Sequence, residues 1–386
     1  MPKCAKCKIW GILCTFVAVS RRLTQMGTQI LAEKFAKICG LICENLRETH
    51  NSIKNMVLVT GATGFLGQYI VEELLNTGHE VRVLVRKPAE SPYSQDKRVI
   101  VCEGDVLDIM QLEKAIQGAD NVIHAAAMVS FSARDYPEMM RTNVKGTENV
   151  VDMCIELHTK KLILISSIAA LGRNEAGKRI DEETRWKESP HNSQYAISKR
   201  KAELAAFKGV EEGLDVLILN PGLILGAGRG HTWQNSTAKL FGLIYKGLPF
   251  YNKGINGVVG VKDVAKAAVL GLSQPTESGE RFVLVAENMS QQEMLGLIAE
   301  SLHKSPPKYA FPPFLAKILG FVMEMFANVF GGNPLITRQT VKTSLFQFFY
   351  DGNKITKRFP FVYTPMKDVI GEAGKAFLEV HADKHR

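Results

Sequence analysis

Hydrophobic residues along this chain recur in short continuous runs that alternate with longer stretches of helical period. The runs have the length and β-branched composition of strands, and those of the first half are Met56–Thr60, Val81–Val85, Val99–Cys102, Asn121–His124, Leu162–Ser167 and Val216–Asn220. Between them, apolar residues three and four positions apart predict helices at Tyr69–Leu75, Leu112–Ile116, Met139–Leu157 and Ser193–Phe207. Because strands that are apolar at every position are buried on both faces, the pattern predicts an α/β fold with a doubly wound parallel sheet.

The rhythm changes after Pro221, where residues 222–230 form a glycine-rich stretch that we interpret as a loop. The elements predicted beyond it are helices at Thr237–Tyr245, Asp263–Leu272, Ser290–Leu302 and from Pro312 onward, and strands at Val258–Val261 and Arg281–Val285. We therefore divide the chain into an N-terminal extension (1–55), a Rossmann-type domain (56–221) and a smaller C-terminal lobe (222–386). Within the lobe, we expect residues 258–285 to return to the Rossmann-type domain.

Composition and charge limit the classes of protein to which this chain can belong. The chain has 386 residues, of which 46% are hydrophobic and 23% charged, as in a globular protein. The formal net charge is +9, but residues 1–55 hold two thirds of that excess, with nine Lys and Arg against three acids. Because the remainder is nearly balanced, we expect no nucleic-acid partner.

The N-terminal extension also holds five of the seven cysteines: Cys4, Cys7, Cys14, Cys39 and Cys43. A zinc site there is an alternative that we do not favour, and we expect no metal. The apolar run Ile9–Ser20 is shorter than the roughly 20 residues that span a bilayer. We interpret the extension as an appendage, Met56 as a candidate translation start and the protein as cytoplasmic. Association with a membrane through residues 9–20 is the alternative.

Glycines follow the first predicted strand in the sequence Thr60-Gly61-Ala-Thr63-Gly64-Phe65-Leu66-Gly67. Glycines at a strand-to-helix turn let the backbone approach a pyrophosphate, and the following helix presents its positive end to the phosphates. The spacing differs from the common dinucleotide-binding fingerprint, but the strand–turn–helix context supports the same function. This turn predicts a dinucleotide site.

A second candidate site is Tyr195-Ala-Ile-Ser-Lys199. A spacing of four places the phenol and the ammonium on one face of a helix. A nearby cation favours the phenolate, which lets a tyrosine exchange protons with a carbonyl or an alcohol. Ser166 and Ser167 end the fifth predicted strand, and ligands of parallel sheets bind at the carboxyl ends of strands.

Together, the glycine motif, Ser167, Tyr195 and Lys199 resemble the extended short-chain dehydrogenases/reductases, over Met56 to about Tyr363. The resemblance implies that Tyr195 is the general acid/base, that Lys199 holds the ribose and that Ser167, rather than Ser166, binds the substrate oxygen. It further implies that Asn143 supports the proton relay. The implied cofactor contacts are Thr60, Gly61, Thr63, Gly64, Phe65, Leu66, Gly67, Arg86, Asp105, Val106, Ala125, Ala126, Ala127, Lys199, Pro221 and Gly222. The candidate substrate contacts are Ser130, Ser167, His191 and Tyr195.

The end of the second predicted strand bears on the cofactor. It reads Val85-Arg86-Lys87-Pro88, without the acid that binds the ribose hydroxyls in NAD enzymes. An arginine suits a 2′-phosphate, so we expect NADP, with NAD as the alternative. The same stretch resembles the branch of dihydroflavonol reductases and 3β-hydroxysteroid dehydrogenases.

We therefore expect an NAD(P)-dependent oxidoreductase that exchanges a hydride with a carbonyl or secondary alcohol of a fairly apolar small molecule. A nucleotide-sugar epimerase or dehydratase of the same family is the first alternative. Epimerases typically carry an arginine ahead of the stretch that here begins at Val261, and Asn256 stands at that position. The second alternative is a dinucleotide sensor without catalysis, which would not need Ser167, Tyr195 and Lys199. A homodimer is possible, and we do not favour contact with a membrane.

Overall fold

The structure, a computed structural model, describes residues 55–172, 178–189, 192–311 and 347–382. The compact unit that contains them begins at Asn55. The N-terminal extension with its apolar run and five cysteines, the candidate residue His191 and the predicted helix from Pro312 lie outside the described residues.

Twelve strands and eleven α-helices lie in the described ranges. The strands are β1 (Met56–Thr60), β2 (Glu80–Val85), β3 (Val99–Glu103), β4 (Asn121–His124), β5 (Lys161–Ile165), β6 (Val216–Pro221), β7 (Leu223–Leu225), β8 (Phe250–Tyr251), β9 (Ile255–Gly260), β10 (Glu280–Leu284), β11 (Glu287–Ser290) and β12 (Tyr309–Ala310). The helices are α1 (Phe65–Asn76), α2 (Ile109–Ile116), α3 (Tyr136–Met140), α4 (Gly146–Glu156), α5 (Gln194–Glu211), α6 (Thr232–Asn235), α7 (Lys239–Tyr245), α8 (Val261–Ser273), α9 (Gln291–Ser301), α10 (Asn353–Arg358) and α11 (Met366–Ala382).

The main sheet has seven parallel strands in the order β10-β6-β5-β4-β1-β2-β3. Every residue of β4, β5 and β6 is buried, as the continuous apolar runs predicted. Helices α1 and α8 pack on one face, and α2, α4 and α5 pack on the other. The predicted doubly wound α/β fold of Rossmann type is therefore confirmed.

A second lobe follows the sixth strand of this sheet. Its three-stranded sheet has the order β11-β9-β7, in which β9 runs parallel to β7 and antiparallel to β11. Helices α7, α9 and α11 pack around a separate core that includes Phe241, Leu295 and Phe377. Ser290 caps α9 by accepting a hydrogen bond from the Glu293 amide (3.1 Å), which confirms the predicted start of that helix.

The predicted boundaries in the lobe need three corrections. The strand predicted to end at Val261 ends at Gly260, and Val261 begins α8. Strand β9 lies in the small sheet, so of residues 258–285 only β10 joins the main sheet, while α8 and Val259 of β9 pack against its core. Strand β7 lies within the stretch interpreted as a loop. Buried apolar residues suit a strand and a helix turn equally, and their pattern does not say which sheet they join.

The helix predicted at Met139–Leu157 is also not uniform. A π-helical turn at Arg141–Lys145 lies between α3 and α4. Such a turn inserts one extra residue, which a pattern of apolar positions does not report, and π turns are frequent at functional sites. This turn contains Asn143.

The outer edge of β10 is covered by side chains. The Val283 amide donates to Glu182 Oε1 (2.7 Å), and Lys354 Nζ donates to the Arg281 carbonyl (3.0 Å). The Tyr363 hydroxyl lies between two carbonyls, 3.1 Å from that of Gly352 and 3.4 Å from that of Val283. Within the described ranges, no helix is both long and apolar enough to cross a membrane.

Candidate active site

The turn between β1 and α1, which we call the glycine turn (residues 60–67), packs against the end of β4. Gly61 has a φ of +70°, and a Cβ there would lie 2.5 Å from the Ala126 amide nitrogen. The Gly64 amide donates to the Gly61 carbonyl (3.0 Å), and Gly64 is the N-cap of α1 with no side-chain capping bond. The glycines therefore allow the turn to pack closely on the end of β4, and the first amides of α1 have no side-chain cap, as in helix N-termini that bind anions.

Two arginines of the second strand have different surroundings. Arg82 donates to the carbonyls of Ala115 (2.7 Å) and Gln117 (2.8 Å), so it caps the end of α2. Arg86 follows β2 and is exposed. Lys87 beside it pairs with Glu90 (2.8 Å). Because β2 pairs with β1 up to Thr60, Arg86 lies next to the glycine turn.

The segment after β3 also faces this end of the sheet. Asp105 Oδ1 accepts a hydrogen bond from the Leu107 amide (2.9 Å), and the Asp105 amide donates to Gln111 Oε1 (3.1 Å). The Val106 carbonyl accepts from Asn149 Nδ2 (3.0 Å). These bonds fix the loop in which both predicted cofactor contacts lie.

His124, at the end of β4, joins the glycine turn to the π turn. Its Nδ1 lies 2.7 Å from Thr60 Oγ1 and its Nε2 lies 3.1 Å from Thr147 Oγ1. The Thr147 hydroxyl donates to the Asn143 carbonyl (2.6 Å), so Nε2–H donates to Thr147 and Nδ1 accepts from Thr60. Complete burial and, secondarily, the charge of Lys199 lower the pKa of His124 to about 3, so the ring is neutral.

The three alanines after His124 line the same end of the sheet. The Ala125 amide donates to the Thr60 carbonyl (3.2 Å), and the Ala126 amide donates to Thr60 Oγ1 (3.3 Å). Ala127 is exposed. The backbone at 125–126 thus forms the wall against which Gly61 packs.

Tyr195 and Lys199 lie on α5, whose N-cap Ser193 accepts from the Ala196 amide (3.0 Å). We call Ser167, Tyr195 and Lys199 the Tyr195 cluster. Tyr195 is partly exposed as a residue, and its phenol lies among protein atoms beside the Ser167 side chain. Burial of the phenol raises the pKa of Tyr195, and the polar Ser167 side chain opposes that shift.

Lys199 is buried, and its Nζ donates to the Ile165 carbonyl (2.7 Å). Burial lowers the pKa of Lys199 to about 8, and the negative charge of Glu203 opposes this change. The lysine therefore lies between the end of β5 and the helix that carries Tyr195.

The two serines after β5 have different partners. The Ser166 hydroxyl is buried and donates to Glu203 Oε1 (2.6 Å). Ser167 Oγ accepts from the Ala169 amide (3.2 Å) and lies beside the Tyr195 phenol. Of the two, Ser167 is therefore placed beside the phenol, and Ser166 serves a buried carboxylate.

Asn143 holds the loop after β4 against α5. Its Nδ2 donates to the Met128 carbonyl (2.9 Å) and to Ser198 Oγ (3.0 Å), and its Oδ1 accepts from the Met128 amide (2.7 Å). Ser198 in turn donates to the Tyr195 carbonyl (2.8 Å). The Asn143 side chain is thus engaged with the frame around Tyr195.

At the end of β6, Asn220 Nδ2 donates to the Ser167 carbonyl (3.0 Å). The Gly222 amide, after Pro221, donates to the Leu284 carbonyl (2.9 Å). The backbone at Gly222 passes close to Gly257 of the small sheet, which leaves no space for a side chain there. This crossing joins the two sheets beside Ser167.

The two remaining candidate substrate contacts are Ser130 and His191. Ser130 is buried and donates to Asp135 Oδ2 (2.6 Å), whereas the Phe131 ring next to it packs edge-on against Tyr195 at 6.1 Å. His191 lies outside the described residues. In the described ranges, no three His, Cys, Asp or Glu side chains are grouped to hold a metal ion.

Sequence reasoning missed Glu203, Thr147 and Ser198, which are buried behind these groups, and Phe131, which is partly exposed beside Tyr195. Glu203 lies four residues beyond Lys199, which is a signal that the spacing of the helix offered. The other three also contact residues far along the chain, namely His124, Asn143 and Tyr195.

Residues 57–285 match the NAD dependent epimerase/dehydratase family. A Synechocystis protein provisionally named a dihydroflavonol 4-reductase is 28% identical over 82% of this chain and 92% of its own. Cinnamoyl-CoA reductase 1 of Petunia hybrida is 31% identical over 67% of this chain and 79% of its own.

Solved structures agree in fold. The crystal structure of gox2253 is 28% identical, with a TM-score of 0.72 over 84% of this chain and 98% of its own. The UDP-glucose 4-epimerase of Thermus thermophilus in complex with NAD is 24% identical, with a TM-score of 0.65 over 84% and 99%. The chain therefore belongs to the NAD dependent epimerase/dehydratase family, within the extended short-chain dehydrogenases/reductases, and is an NAD(P)-dependent oxidoreductase.

Proposed function

We propose that this protein exchanges a hydride between NADP and a carbonyl or secondary alcohol of an apolar small molecule, with Tyr195 as general acid/base. The observation that carries the proposal is the Tyr195 cluster: a phenol beside Ser167, with a buried ammonium one helix turn away. The glycine turn and exposed Arg86 lie at the same edge of the sheet, and they fit a dinucleotide because an uncapped helix N-terminus and a guanidinium both attract its phosphates.

When bound, the cofactor supplies or accepts the hydride. Ser167 holds the substrate oxygen beside the phenol. In reduction, Tyr195 donates a proton to that oxygen and is reprotonated by water before the next turnover. In oxidation, the same phenol takes the proton of the alcohol. Protonated Lys199 stabilises the phenolate in either direction.

Three observations support, in turn, an apolar substrate, a reduction as the reaction and NADP as the cofactor. The Phe131 ring packs on Tyr195, and Ile168 and Ala169 directly follow Ser167. The dihydroflavonol and cinnamoyl-CoA reductases named above are reductases by name. The end of β2 offers an unpaired guanidinium within the described structure and no carboxylate.

A nucleotide-sugar epimerase is the second candidate, because epimerase structures share the fold. Against it, Asn256 on β9 stands where we expect the phosphate-binding arginine of an epimerase.

The test is turnover by the full-length protein with NADPH or NADH and a panel of apolar ketones, aldehydes and aryl thioesters, followed by absorbance of the reduced cofactor. We expect cofactor oxidation with at least one carbonyl, and none with Tyr195→Phe. Interconversion of UDP-sugars without net redox change would establish the epimerase instead. Cofactor binding without either reaction would indicate a dinucleotide sensor without catalysis.

A further inference from the structure

Glu203 is a fully buried carboxylate on α5, four residues beyond Lys199 and eight beyond Tyr195. Its side chain has no exposed surface. Taking a carboxylate out of water costs several kcal/mol (order of magnitude) unless partners replace the lost hydration. The partners of Glu203 therefore indicate what the buried charge does.

One oxygen of Glu203 ties together the ends of two strands. Its Oε1 accepts from Ser166 Oγ (2.6 Å) after β5 and from Asn220 Nδ2 (2.6 Å) on β6. The same Asn220 nitrogen donates to the Ser167 carbonyl (3.0 Å). Glu203 thus reaches Ser167 from both directions, through the neighbouring side chain and through its own carbonyl.

The backbone conformation at Ser167 links the bonds made by Glu203 to the direction of the Ser167 side chain. Ser167 is extended, with φ −164° and ψ 153°. In extended backbone, successive side chains point to opposite sides. Because Ser166 points to Glu203, the Ser167 hydroxyl points the other way, where the Tyr195 phenol lies beside it. A backbone rotation that freed Ser166 would turn Ser167 away from the phenol.

Two arginines hold the carboxylate in this orientation. Arg200 on α5 and Arg281 on β10 each place NH1 3.6 Å from Glu203 Oε2. These ion pairs engage the oxygen that has no hydrogen-bond partner in the described structure. Oε1 is thereby kept turned toward Ser166 and Asn220.

We infer that Glu203 is a positioning residue that fixes the orientation of Ser167 through Ser166 and Asn220. The inference rests on the role proposed above for Ser167.

The test compares Glu203→Gln with Glu203→Leu in the full-length protein. Both variants remove the charge that faces Lys199, so its effect on the lysine cancels in the comparison. Glutamine keeps an oxygen acceptor for Ser166 and Asn220, whereas leucine has a similar size and no acceptor. A misplacement of about 1 Å near reacting atoms costs on the order of 100-fold in rate.

We expect Glu203→Leu to lower kcat by about 10- to 100-fold relative to Glu203→Gln, with KM and the cofactor Kd within about 3-fold. Equal kcat values in the two variants would overturn the inference. So would a parallel loss of kcat and cofactor affinity, which would indicate a general loss of structure.

A second measurement needs neither a substrate nor the leucine variant. Amide exchange over residues 166–172 reports the bonds from Ala169 and Ala170 to Ser167. Ser166→Ala removes the same link, and we expect it to speed this exchange by about 10-fold over Glu203→Gln, with exchange in β1 unchanged. Unchanged exchange at 166–172 would refute the inference. If the wild type reduces no carbonyl, the proposed function fails, while this measurement still decides whether Glu203 holds Ser167.

Discussion

The glycine turn and the Tyr195 cluster lie at the ends of β1 and β5 in one sheet, yet they are built in opposite ways. The glycine turn depends on side chains that are missing, since Gly61 has a left-handed φ and touches the backbone at Ala126. The Tyr195 cluster depends on polar side chains from α5, β5 and β6 that hold one another. Adding atoms should therefore damage the first region, and removing atoms should damage the second.

The sharpest test of this contrast is Tyr195→Phe, which removes one oxygen atom. Loss of a general acid costs about 10²- to 10⁴-fold in rate, so we expect turnover to fall by that factor. Because Tyr195 belongs to the Tyr195 cluster and not to the glycine turn, the cofactor Kd should stay within about 3-fold, roughly 0.7 kcal/mol. Turnover would be measured with the reduced cofactor and affinity by fluorescence titration. Half of the wild-type turnover in the variant would contradict the assignment of Tyr195.

The charge beside the glycine turn offers the next largest effect. Arg86→Glu replaces an exposed guanidinium with a carboxylate, so we expect NADP binding to weaken by about 2–5 kcal/mol and NAD binding to change little. Lys87→Glu is the matched control, because Lys87 is also exposed but pairs with Glu90. Titration of each variant with NADP and with NAD measures the two affinities that are compared. Equal wild-type affinities for NADP and NAD would show that Arg86 does not read the 2′-phosphate.

Adding one methyl group tests the glycine turn directly. Gly61→Ala introduces a Cβ 2.5 Å from the Ala126 nitrogen at a φ of +70°. Strain of this kind amounts to about 1–3 kcal/mol, so we expect cofactor affinity to fall by about 5- to 150-fold. Gly78→Ala is the control, since Gly78 has a φ of +82° but nothing within 4 Å of its Cβ position. If both variants bind the cofactor equally, the close approach at Ala126 is not what the turn requires.

The smallest expected effect concerns the buried ammonium. Burial lowers the pKa of Lys199 from its ordinary value of 10.5 to about 8. The unfolded chain therefore binds more protons between these two pH values, and the free energy of unfolding rises with pH across that window. Between about pH 7 and pH 9.5, we expect wild type to gain about 1–2 kcal/mol over Lys199→Met in urea denaturation. A difference that does not change with pH would mean that Lys199 keeps its ordinary pKa.

The same contrast explains what the sequence could reveal. The glycine turn and the pair Tyr195–Lys199 each lie within a few consecutive residues, so their spacing, together with the predicted strands beside them, located them. Ser167 was identified only because it lies at the end of a predicted strand. The bonds from Glu203 to Ser166 and Asn220 join residues 37 and 17 positions apart, and no local pattern encodes them. The π turn at Asn143 and the entry of β9 into the small sheet depend likewise on tertiary packing.

The covered edge of β10 has a consequence for how copies of this chain can meet. An open edge of a parallel sheet displays amides and carbonyls on which a foreign strand can add, the usual route to fibrils and strand-swapped oligomers. Here the Val283 amide and the carbonyls of Arg281 and Val283 are already satisfied by Glu182, Lys354 and Tyr363. An incoming strand would have to displace one of these side chains for each bond that it formed with these three groups, and one of them is a buried carboxylate. We therefore expect this edge to resist strand addition.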